Sequence, residues 1–144
     1  MLCLAGMAEP VDSERNVEFF ASLSRCLAND RFLTRFYESF LASSPEVTAK
    51  FRDTDFERQK RAMASSLYSI VMALEQAAAP MAYLESIAEQ HSRRQLDIPS
   101  PMYDLWLECL IDSVREADPE FSPRLEANWR VAMRFAIERM RARY

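Results

Sequence analysis

Residues 36–51 read Phe36-Tyr37-Glu38-Ser39-Phe40-Leu41-Ala42-Ser43-Ser44-Pro45-Glu46-Val47-Thr48-Ala49-Lys50-Phe51, and their reading decides the fold. With Phe32 and Leu33 just before them, Phe36, Tyr37, Phe40 and Leu41 recur at the spacing of one helix face. That pattern predicts a helix over about 30–42. Ser43-Ser44-Pro45 then ends it and caps a second, short helix running to Phe51. A proline at the first helical position gives up an amide that has no partner there anyway.

The same pattern continues in both directions. Upstream, a helix is expected from about Asp12 to Leu27, with Val17, Phe20, Leu23 (or Ser24) and Leu27 on one stripe. Asn29-Asp30 supplies its stop and the cap of the next helix. Downstream, Asp53 and Asp55 stand where caps belong for a helix over about 55–75, which spaces Phe56, Met63, Leu67, Ile70 and Leu74 along one side. Pro80 restarts the chain into a helix ending at His91, with Leu84, Ile87 and His91 on one face. After a break at Pro99, Ser100-Pro101 caps a helix that buries Leu107, Leu110, Ile111 and Val114. Asp118-Pro119 breaks that helix. Ser122-Pro123 caps the last, with Leu125, Trp129, Ala132, Ala136 and Met140 on one side.

Composition agrees with an all-α chain. The 144 residues suffice for one core. The single glycine, Gly6, leaves no glycine for primed hairpin turns or for a Gly-rich phosphate loop. A net charge of −4 gives no overall basic footprint for nucleic acid. The basic run Arg130, Arg134, Arg139, Arg141 and Arg143 reads as complementing the dipole of the last helix. No apolar run reaches membrane-spanning length. Cys3, Cys26 and Cys109 form neither a disulfide framework nor a zinc pattern, and the expected setting is the reducing cytoplasm. Residues 1–11 are expected to be a disordered leader, and residues 12–144 a single domain.

His91 is the only histidine. A zinc site or a Ser-His-Asp triad therefore loses its footing, whereas haem iron is often held by one histidine alone. Periodicity by itself leaves open a second reading, in which His91 is a hydrogen-bonded core residue.

The stretch 36–51 resembles the second and third helices of bacterial globins. It has their aromatic pair, the proline eight residues after the tyrosine, and the phenylalanine six residues after the proline. His91 falls where that family has its proximal iron ligand, and Gln59 where it has the distal residue. The resemblance extends over about residues 12–143 and implies an all-α globin fold of six to seven helices around a haem pocket. The expected cofactor is haem b (iron protoporphyrin IX), with its iron on His91. Phe51, Met63, Leu67, Ile87 and Ile98 would form the apolar shell, and Arg94 would pair with a propionate. Tyr37 and Gln59 would stabilise a bound gas. Each has a plainer alternative: a core aromatic for Phe51, a backbone-bonded phenol for Tyr37, a surface glutamine for Gln59, a solvated charge for Arg94.

The absence of a distal histidine is similar to bacterial single-domain and sensor globins and implies a five-coordinate iron. Three activities follow from the resemblance. The first is reversible binding of oxygen or other gases (O2, CO, NO) for storage or sensing. The second is a nitric-oxide dioxygenase served by a separate reductase. The third is a haem-free module that signals or dimerises through its helix faces.

Overall fold

The computed structural model describes residues 13–75 and 78–144. The expected leader at 1–11 lies outside the described residues. Seven helices follow in order, with no strand among the described residues: α1 Ser13–Leu27, α2 Phe32–Ser43, α3 Pro45–Lys50, α4 Phe56–Leu74, α5 Ala78–Gln90, α6 Ser100–Ala117 and α7 Pro123–Ala142.

The chain's own cap chemistry sets several of these boundaries. Ser44 is extended, and its hydroxyl accepts from the Glu46 amide at 3.1 Å, starting α3 with Pro45 inside the first turn. Asp55 accepts from the Glu57 and Arg58 amides and starts α4. Ser122 accepts from the Leu125 amide and starts α7. In the Asn29-Asp30 turn before α2, Asn29 accepts from the Arg31 amide at 3.0 Å. Two boundaries differ from expectation. Ser100 is already the first residue of α6, after an extended Pro99 that offers no side-chain cap. Pro80 sits inside the first turn of α5, where its missing amide would have had no helical partner.

The stripe expected on α1 is turned by one residue. Asn16, Phe19, Ser22, Leu23 and Cys26 are buried, while Val17 and Phe20 are 68% and 41% exposed. The reason is that the polar residues of α1 find partners inside. Asn16 donates to Glu75 at 2.9 Å, and Ser22 donates to Asp118 at 2.6 Å while accepting from the Trp129 indole at 2.9 Å. Phe19 packs edge-on against Trp129, with centroids 4.7 Å apart.

Around this seam α1 packs on α4 and α7, α2 packs on α6, and α4 packs on α5. The short α3 rests on α2. Phe32, Phe36, Leu110, Ile111, Val114, Trp129 and Met133 form the dry centre of the core. Leu107, Leu110, Ile111 and Val114 on α6, and Leu125, Trp129, Ala132 and Ala136 on α7, are buried as expected, with Met140 packed at the edge.

Candidate ligand-binding site

Two groups of residues carry chemistry, one on α2–α4 and one around the end of α5. In the first, Tyr37 projects from α2 into the core and is 5% exposed. Its hydroxyl donates to Met63 Sδ at 3.3 Å and accepts from Gln59 Nε2 at 3.1 Å. Burial pushes the phenol up to about 12, against a smaller lowering by the Gln59 bond. The hydroxyl therefore keeps its proton throughout the physiological range. A thioether is a weak acceptor, so that proton is held by a partner easily outcompeted by a more polar one.

Aromatic rings surround this hydroxyl. Phe51, at the C-cap of α3, meets the Tyr37 ring at 5.8 Å and the Phe40 ring at 5.9 Å, both edge-on. Phe56 meets Tyr37 at 5.5 Å and stacks on Phe51 at 6.0 Å. Leu67, one turn beyond Met63, is buried in the same cluster. Sequence reasoning placed Phe56 only on a helix stripe. Its positions relative to Gln59 (i+3) and Met63 (i+7) were the signal that it shares their face.

In the second group, His91 follows the last residue of α5 and is partly buried. Its Nδ1 lies 2.8 Å from the Ile87 carbonyl. A carbonyl only accepts, so Nδ1 carries the proton and Nε2 keeps its lone pair. Burial holds the imidazole below its usual pKa, opposed by the Ile87 bond, so the ring is neutral at pH 7.

The loop after His91 is closed by its own backbone. Leu96, Asp97 and Ile98 donate their amides to the carbonyls of Gln90, Ser92 and His91 at 2.9–3.1 Å. Asp97 adopts a left-handed conformation (φ 51°), which aspartate tolerates better than most residues. Ser92 is buried, and its hydroxyl has no partner among the described residues.

The segments that carry the two groups touch at one edge. Lys50, the residue before Phe51, donates from Nζ to the Leu96 carbonyl at 2.9 Å, and Ile98 packs against the core. Tyr37, Phe51, Gln59, Met63 and Leu67 thus form one cluster, and Ile87, His91 and Ile98 are joined by backbone bonds. Arg94 stands exposed in the loop, and no hydrogen bond or ion pair joins it to another described residue. A surface concavity of about 660 Å³ includes Leu41, Phe51, Arg52 and Phe56, and so backs onto the Tyr37 cluster from outside. Among the described residues no three His, Cys, Asp or Glu side chains gather to hold a bare metal ion.

A neutral, tautomer-fixed imidazole and a separate buried donor cluster, carried by seven helices in this order, invite comparison with known families. The Globin family model matches residues 34–140. The chain belongs to the globin family.

The matched span holds every site residue named above, from Tyr37 to Ile98. The fold is similar to that of a Pseudomonas aeruginosa protein whose crystal structure is described as structurally highly homologous to a human hemoglobin. The two are 33% identical, the match covers 90% of this chain and 98% of that one, and the TM-score is 0.86. No curated protein gives a significant match.

Proposed function

We propose that this globin holds haem b through His91 and reversibly binds dioxygen or another diatomic gas beside Tyr37 and Gln59. The observation that carries the proposal is the bond from His91 Nδ1 to the Ile87 carbonyl. It leaves Nε2 of the chain's single imidazole as a fixed, unprotonated donor atom. The donor set fits haem: one imidazole is enough for a metal whose remaining ligands come with the cofactor, and too little for a metal held by protein alone.

Haem supplies, when bound, an iron with one coordination position open to a diatomic gas. The residues do the rest. Ile87 orients the imidazole and makes Nε2 more basic. Gln59 holds the phenol oxygen of Tyr37 from one side, so the phenol proton is directed away from it. That proton rests on Met63 until a more polar acceptor arrives. Phe51, Met63, Leu67, Ile87 and Ile98 would form the apolar shell around the cofactor and keep water from it. Arg94, which is exposed, would pair with a propionate, since an arginine fork suits a carboxylate.

The test is the visible spectrum of the purified protein, supplemented with hemin and reduced, before and after carbon monoxide. A stoichiometric Soret band that shifts with the gas supports the proposal. Protein that takes up no haem above nonspecific binding overturns it and leaves a haem-free globin-fold module.

A further inference from the structure

Four apolar side chains stand exposed along the seam between α1 and α4: Val17 and Phe20 on α1, and Tyr68 and Met72 on α4, the last two 37% and 45% exposed. Phe20 and Tyr68 touch at the middle, with centroids 6.0 Å apart. The Asn16–Glu75 bond sets the start of α1 against the end of α4. The two helices therefore run antiparallel, and the seam has two unlike ends. One end carries Val17 and Met72, with Glu75 beyond them. The other opens into a concavity of about 350 Å³ walled by Leu27, Phe32, Leu33, Ala64 and Tyr68. Its rim holds Arg61, Asp30 and the ion pair of Lys60 with Glu57. Among the described residues, neither Arg61 nor Glu75 has an ion-pair partner.

We propose that this seam is the interface of a homodimer, with the two-fold axis passing near the Phe20–Tyr68 contact. A two-fold axis there lays the two seams antiparallel. It brings the exposed Val17 and Met72 of each copy onto the concavity of the other, and Glu75 of each copy onto the other's Arg61. A two-fold interface must complement itself. This seam does so in shape and in charge, which points to a second copy rather than to an unrelated partner. The turn of α1 agrees: it buries Asn16 and Ser22 while leaving Val17 and Phe20 outside, an arrangement that a covering surface compensates. The 15-residue α1 is about 22 Å long. The face is thus at the small end of stable interfaces, which begin near about 1,200 Å² in total, and the dimer dissociates on dilution.

The experiment is sedimentation velocity on the purified protein over a range of micromolar concentrations, with circular dichroism confirming that each variant is folded. The mass should rise from 16.7 kDa toward twice that value. Arg61→Glu and Glu75→Arg should each weaken dimerisation about tenfold or more, because each sets like charges face to face. The double variant should recover most of the loss. Val17→Asp should weaken the dimer with no rescue from either reversal. A monomer at every concentration overturns the proposal, including the case in which deleting residues 1–12 then permits a dimer, because that segment would be what covers the seam. A dimer untouched by the single reversals, or a double variant as weak as the singles, overturns it too.

Discussion

At the scale of single residues, the site depends on which atoms are left with weak partners. The Tyr37 hydroxyl donates to a thioether while accepting from Gln59, and among the described residues His91 Nε2 has no hydrogen-bond partner while Nδ1 is bonded to the Ile87 carbonyl. Tyr37→Phe removes only a hydroxyl and should leave the core nearly unchanged. If that hydroxyl donates to bound oxygen, its loss should cost roughly 1.5–3 kcal/mol. Oxygen affinity should then fall about ten- to a hundredfold, chiefly through faster dissociation. Carbon monoxide is far less polar, and its affinity should shift much less. Stopped-flow rates for the two gases decide the matter; equal shifts for both would mean a distorted pocket rather than a lost hydrogen bond.

Phe51 gives a second prediction at this scale. It is partly buried among Tyr37, Phe40 and Phe56. Phe51→Ala should therefore destabilise by about 2–3 kcal/mol, less than the about 3–5 kcal/mol of a fully enclosed phenylalanine. Urea titration of the variant checks this, and a loss under about 1 kcal/mol would place the ring outside the cluster. Sequence reading singled out His91 as the one histidine and Tyr37 by its spacing to Pro45 and Phe51 in the globin resemblance. It left Phe56 unassigned because an aromatic residue on a helix stripe reads first as core.

Elements were legible where caps and periodicity agree. Ser44, Asp55 and Ser122 cap as read, because a short polar side chain before a helix has one dominant use. The register of α1 was not legible, because its inward face carries Asn16 and Ser22, which count as surface residues until their partners are known. Those partners, Glu75 and Asp118, are 59 and 96 residues away. Asp118, between α6 and α7, has a fully buried side chain. It accepts from Arg25 at 2.7 and 2.9 Å, from Ser22 at 2.6 Å and from the Glu120 amide at 2.9 Å. Burial raises its pKa, but these bonds outweigh burial and hold it below the usual carboxylate value.

The sign for stability follows. A carboxyl whose folded pKa is depressed binds protons more readily in the unfolded chain as pH falls. Its contribution is fully present above the unfolded value near 3.8 and is lost as pH drops from there through the lower folded value. Asp118→Ala should cost about 2–4 kcal/mol, since it takes the acceptor from the Ser22 hydroxyl, the Glu120 amide and Arg25. Asp118→Asn should flatten the acid limb of the stability profile below about pH 4. An Asn variant that keeps the parent's acid limb would mean that other carboxyl groups set it.

At the scale of the whole molecule, the seven-helix order and the globin packing follow from signals spread along the chain. A single glycine, prolines at helix starts and a tyrosine–proline–phenylalanine spacing all point the same way. Agreement across levels of this kind is what specifies one fold. The contact between the end of α3 and the loop after His91 was not legible, because no local pattern announces a bond such as that from Lys50 to the Leu96 carbonyl. The proposed haem site turns on one atom, His91 Nε2. The measurement that tests it most directly is haem retention by His91→Ala, followed in the Soret band after gel filtration, with and without imidazole. The account predicts loss of most haem from the variant and partial recovery when imidazole fills the vacated space. A variant that keeps a full Soret band and an unchanged ferrous carbon-monoxide spectrum without imidazole would contradict it.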